Sequence, residues 1–207
     1  MVQNPLGRPW ARDVQALRKH TQALHRHRML AGMLKTSVST WLCVAALGLA
    51  QGCSPAFNWR DVRPDDTALS LLLPCKPDKA QQTVPMGGQP TALTLLGCDA
   101  GGAAFAVAVA DVGQAAAVPA VLAQWQAATL AGIKAASPAT TAMPVPGALA
   151  APAPVLVRAL GQRPDGSAVH SHALYFAHGT QVFQVVMLAS TVTPEAADMF
   201  FSSVRLK

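Results

Sequence analysis

Six stretches of the chain read as strands, from side chains that alternate in size or polarity with a period of two and from the turns that bound them. In the first, residues 69–73, Leu69, Leu71 and Leu73 share one face. The second covers 91–96, and a turn at Asp99-Ala100-Gly101-Gly102 leads into the third, 103–112. There Phe105, Val107 and Val109 face one way, and Ala104, Ala106, Ala108 and Ala110 the other. The bulky face suits a core, and the alanine face lets a helix approach closely. The spacing then changes: Val118, Val121, Leu122, Trp125, Thr129 and Ile133 recur at helical intervals, with Pro119 in the first turn. Strands resume at 155–162 and 167–177, around the turn Pro164-Asp165-Gly166, and at 181–190. Thr193 as N-cap, Pro194 and Glu195 open a short final helix through Phe200 and Phe201. Residues 74–90 carry four prolines and Gly87-Gly88 and read as a loop; 137–154 carry five prolines and read as a surface connector. The resulting βββα-βββα order predicts an α+β fold, an antiparallel sheet covered by helices, in one domain over residues 68–207.

Charge adds a division that the hydrophobic pattern hides. The chain carries a formal net charge of +6. Residues 1–35 account for all of it, with Arg8, Arg12, Arg18, Lys19, Arg26, Arg28 and Lys35 against the lone Asp13. The remainder is neutral, so the basicity gives no reason to expect nucleic-acid binding. With 51% hydrophobic and only 13% charged residues, collagen-like, coiled-coil and highly charged disordered chains are excluded.

After Lys35 an uncharged run, 36–52, is almost wholly apolar at its centre. A basic stretch, a short apolar run and small residues are the parts of a secretory signal. The run falls short of the ~20 residues that span a bilayer. An uncleaved anchor helix, a non-lipidated signal and, from the Arg-rich start, a transit peptide are the competing readings. Met33 or Met29 would begin a leader of ordinary proportions, which makes 1–32 a basic N-terminal extension or a mis-assigned start. Leu49-Ala50-Gln51-Gly52-Cys53 resembles the lipobox of bacterial lipoproteins, with the small Gly52 before the cysteine and a departure at Ala50-Gln51. The resemblance implies a signal peptide at 33–52, lipidation of Cys53, a tether over 53–67, and, with Ser54 next, sorting to the outer membrane facing the periplasm. An inner-membrane anchor is the alternative.

Leu73-Pro74-Cys75-Lys76-Pro77 and the ending Phe200-Phe201-Ser202-Ser203-Val204-Arg205-Leu206 resemble small exported bacterial proteins with a PsbP/Mog1-like sandwich. The resemblance implies that fold and a binding or assembly role, and brings no catalytic residue with it.

Cys75 and Cys98 form an even pair in the body, and in an oxidising compartment they are expected to bond. Two free buried thiols are the alternative. No Cys-x-x-Cys, Gly-x-Ser-x-Gly, Walker A or HExxH motif is found, so no cofactor and no catalytic residue is assigned. His170 and His172 share a strand face with His178 in the next turn, a weak candidate set for Zn²⁺ or Cu²⁺. Three roles follow. A non-catalytic binding or assembly module, held to the membrane by its lipid and meeting an envelope partner, comes first. A metal-binding lipoprotein using the histidines is second, and an envelope hydrolase pairing Ser167 or Ser171 with His172 is third.

Overall fold

The computed structural model describes residues 56–207; the basic extension, the signal-like run with Cys43, and the lipidation candidate Cys53 lie outside the described residues. The strands are β1 (Arg60–Val62), β2 (Leu69–Leu73), β3 (Asp78–Met86), β4 (Gln89–Ala100), β5 (Ala103–Asp111), β6 (Ala136–Ala142), β7 (Val155–Gln162), β8 (Ala168–His178), β9 (Gln181–Ala189) and β10 (Arg205–Leu206). Between them lie the helices α1 (Val118–Gly132) and α2 (Pro194–Ser202). Seven strands form one antiparallel sheet in the order β3-β4-β5-β9-β8-β7-β6, and β1-β2-β10 form a small second sheet.

This corrects the expected α+β sandwich of βββα-βββα order and its PsbP/Mog1-like assignment. The described chain is mostly β, with five strands before α1 and four between α1 and α2. The two segments expected as loop and connector supply the outermost strands of the large sheet, β3 and β6. All seven residues of β6 and the first four of β3 are exposed; β6 carries no apolar alternation, and in β3 it is confined to Val84 and Met86 at the end. Each edge also carries a device that discourages further pairing. In β6 the register slips between Ala136 and Ala139, where Ser137 takes a positive φ before Pro138. In β3 the device is Pro85.

Each face of the large sheet has its own core. The alanine side of β5 (Ala108, Ala110) packs with Leu93, Ala173, Tyr175 and Val182 against Val118, Val121, Leu122 and Trp125 of α1. Gly161 of β7 makes the end of this contact possible: a Cβ there would lie 2.4 Å from the Ile133 carbonyl oxygen. That same oxygen accepts a 2.7 Å hydrogen bond from the Gln162 amide.

On the opposite face Phe105, Val107, Leu174, Phe176, Phe183 and Val185 meet Leu69, Leu71 and Leu73 of β2 and Phe200 and Phe201 of α2. Thr193 precedes α2 in extended conformation, yet its hydroxyl makes no capping hydrogen bond; Pro194 starts the helix. From Phe57 onward the residues expected as a tether pack on this core. Phe57 stacks on Trp59 and both rings meet Phe105 edge-on. The Phe57 ring covers Gly101 so closely that a Cβ there would lie 2.4 Å from it, and Gly101 also takes a positive φ in the β4–β5 turn.

Cys75 and Cys98 are bonded, with Cα atoms 6.0 Å apart. The bridge joins the segment just after β2 to β4, so it ties the small sheet to the large one rather than stapling neighbours within a sheet.

Candidate functional site

The site is built by what α2 leaves uncovered. Antiparallel register sets Leu156 opposite Leu174, Arg158 opposite His172 and Leu160 opposite His170 across β7 and β8. Leu156 and Leu174 are buried in the core beside α2. The next two rungs lie progressively in the open, with His172 and His170 partly buried, Arg158 exposed and Leu160 half exposed. A cleft of about 440 Å³ results, with Leu156, Met143, Val192 and Phe201 as its apolar wall and Arg158, His172 and Asp198 as its charged or titratable groups. A second hollow adjoins it toward β6, sharing Arg158 and His172 and adding His170 and Leu160.

The His172 ring lies 6.4 Å from the Phe201 ring, centroid to centroid, at 34°. Its proton affinity is lowered below the ordinary value of 6.5, first by partial burial and then by Arg158 and His170 nearby. Among the described residues Arg158 has no ion-pair or hydrogen-bond partner, since the three ion pairs found use Arg63, Lys79 and Arg205. A carboxylate lines the cleft in Asp198, but it pairs with neither Arg158 nor His172.

A depressed histidine has a signed consequence. The unfolded chain takes up this proton at higher pH than the folded one, so stability is full above 6.5 and declines as pH falls from 6.5 toward the lower folded value. We expect His172→Gln to flatten that part of the curve while leaving stability at neutral pH little changed. Urea midpoints measured across this range check it; an unaltered slope in the variant contradicts the assignment to His172.

The structure brings His170 and His172 together, and not His178. Eight strand residues separate His178 from His170, roughly 26 Å at the usual rise. His178 Nδ1 donates to the Gly147 carbonyl, 2.9 Å away. Among the described residues no group of three or more His, Cys, Asp or Glu side chains is placed to hold a metal ion. Ser171 is buried, and strand alternation turns it to the sheet face opposite His172. The Ser167 hydroxyl donates to Asp165 at 2.7 Å, in the turn before β8. Neither serine is set against an imidazole.

One buried polar cluster lies elsewhere. Gln184 Nε2 donates to Tyr175 Oη (2.8 Å) and to Thr129 Oγ1 (2.9 Å), tying α1 to β8 and β9. Burial raises the Tyr175 proton affinity. The Trp125 Nε1–H, edge-on to Tyr175, finds no partner among the described residues. With Gln184 and Tyr175 both about 2% exposed, this cluster fixes helix to sheet and offers no opening to a ligand.

Sequence reasoning named His170 and His172 but passed over Arg158, Phe201, Met143 and Asp198. A signal for Arg158 was present: it is the one charge in the otherwise uncharged 155–162 run. The others reach the cleft from a connector and from α2, through packing that no local pattern encodes.

No protein-family model matches the chain, and no curated protein matches it. Among solved structures, the chain is similar to PA94 from Pseudomonas aeruginosa, described as a protein of unknown function and putative regulator. The two share 14% identity over 67% of this chain and 85% of that one, with a TM-score of 0.32, too slight an overlap to carry fold or role across.

Proposed function

We propose that this chain is a lipoprotein of the Gram-negative cell envelope, anchored through Cys53 and facing the periplasm from the outer membrane. Its folded body is a non-catalytic binding or assembly module. The observation that carries the reading is the Cys75–Cys98 bridge, a bond that persists in oxidising compartments and is rare in the cytosol. It agrees with a basic stretch, apolar run and Gly52-Cys53 junction that read as an export leader. The cleft supports the binding reading with a guanidinium, an imidazole and a carboxylate beside an apolar wall, and a second imidazole, His170, in the adjoining hollow.

Intact mass of the membrane-extracted protein, made with and without a signal peptidase II inhibitor, tests the anchor. The expected result is a chain beginning at acylated Cys53, replaced under inhibitor by a longer, diacylated precursor. An unlipidated chain that retains residues 36–52 contradicts it. Several acyl chains are needed for a stable hold, since each buried CH₂ contributes ~0.8 kcal/mol and one chain binds only reversibly.

A further inference from the structure

We propose that the cleft between α2 and the open rungs of β7 and β8 binds a small amphiphilic anion. Its acidic head group sits between Arg158 and His172, and its apolar body lies along Met143 and Val192. The inference rests on the binding-module reading and deepens it by naming the ligand class.

Three observations lead there. First, Arg158 and His172 are directly opposite in the β-ladder, with His170 two residues away on the same face. Cross-strand positions normally pair opposite charges or apolar groups, and like charges set opposite each other are destabilising. Arg158 instead faces an imidazole that burial holds toward its neutral form, so the guanidinium has no ion-pair partner among the described residues and is open to an arriving anion. Second, the wall beside them is apolar: Leu156 and Phe201, each about 4% exposed, form its buried backing, and the partly buried Met143 and Val192 present its surface. A wholly hydrated anion would gain nothing from that wall, whereas an anion with an apolar body covers it. Third, the volume of about 440 Å³ lies within the range of small-molecule sites.

The groups facing His172 define the pH response. Arg158 comes from β7, His170 from β8 itself and Asp198 from α2. Asp198 is exposed, so solvent weakens its repulsion of the ligand. Protonated His172 donates a charge-assisted hydrogen bond that the neutral ring cannot add to a second cation, so the anion binds more tightly as pH falls.

The test uses the full chain in nanodiscs of zwitterionic lipid, titrated with decanoate by calorimetry against empty nanodiscs. Decanol and decyltrimethylammonium serve as neutral and cationic bodies of the same length. Saturable decanoate binding is expected, strengthening severalfold as the pH falls through and below about 6.5. It should weaken about tenfold or more in Arg158→Gln, the order expected for one lost charged hydrogen bond. His172→Gln should abolish the pH response, and neither comparison compound should match decanoate. Arg158 is exposed, so its variant is expected to keep the wild-type urea midpoint, which is measured alongside. Equal binding of all three compounds, undiminished binding in Arg158→Gln, or no binding at any pH overturns the proposal. The mass measurement above is independent: a lipidated chain that ignores decanoate refutes the ligand alone, and an unlipidated chain that binds it refutes the anchor alone.

Discussion

Replacing Phe105 by alanine is expected to destabilise the protein by about 3–5 kcal/mol, the range for truncating a fully buried phenylalanine. Phe105 is 1% exposed, and its ring is the point where three separate segments meet. Phe200 of α2 lies edge-on at 5.1 Å, and Phe57 and Trp59 of the N-terminal segment lie edge-on at 6.3 and 6.2 Å. Each such aromatic pair contributes about 0.5–1.5 kcal/mol beyond the area it buries. Phe200, itself fully buried and held in α2, cannot follow into the space left behind, which keeps the expected loss within that range. Urea unfolding of the full chain measures it, with Leu160→Ala as the comparison. Leu160 is 50% exposed, so its truncation should stay within about 0.5 kcal/mol. A Phe105→Ala loss near that of Leu160→Ala would contradict the packing described.

Removing the Cys75–Cys98 bridge is expected to cost about 3 kcal/mol, the chain-entropy value for a loop of this size. The cysteines are 23 residues apart in sequence, and the loop between them contains all of β3 and most of β4. Unfolding with and without reductant, in the native chain and in a Cys75→Ser/Cys98→Ser variant, checks the effect. Reductant should lower the native midpoint to that of the double variant and leave the variant itself unmoved. A native midpoint insensitive to a reductant that fully exposes both thiols would show that the bond adds no stability. Cys98 and Phe105 are register partners on β4 and β5, so the two losses are not expected to add.

How much of this was legible in the sequence depended on burial. Where a strand sets its large apolar side chains on one face, their alternation declared it: Leu69, Leu71 and Leu73 mark β2, and Phe105, Val107 and Val109 mark β5. The alanine face of β5 foretold a close helix, and α1 lies on it. Where a strand buries little, nothing in its pattern separates it from a loop. Residues 136–142 are Ala-Ser-Pro-Ala-Thr-Thr-Ala, wholly exposed, and they pair with β7 through backbone bonds that any side chain permits. Those two edge strands turned an expected helix-covered α+β sandwich into a mostly β protein with a seven-stranded sheet. The cleft was legible only as its histidines. Its depth depends on where α2 stops and on Met143 arriving from the connector, both long-range outcomes.

The seat of Phe57 over the β4–β5 turn has a consequence for where such a molecule stands. Only four residue steps separate Cys53 from Phe57. Fully extended, they reach roughly 14 Å. The polar head-group layer of a bilayer leaflet takes up about half of that span. With the acyl chains on Cys53 as proposed, the anchor is therefore a short leash rather than a flexible stalk. If Cys53 is acylated as proposed, the Gly101 end of the sheet would stay within a few water layers of the lipid, and a partner would have to come to the membrane surface to be met.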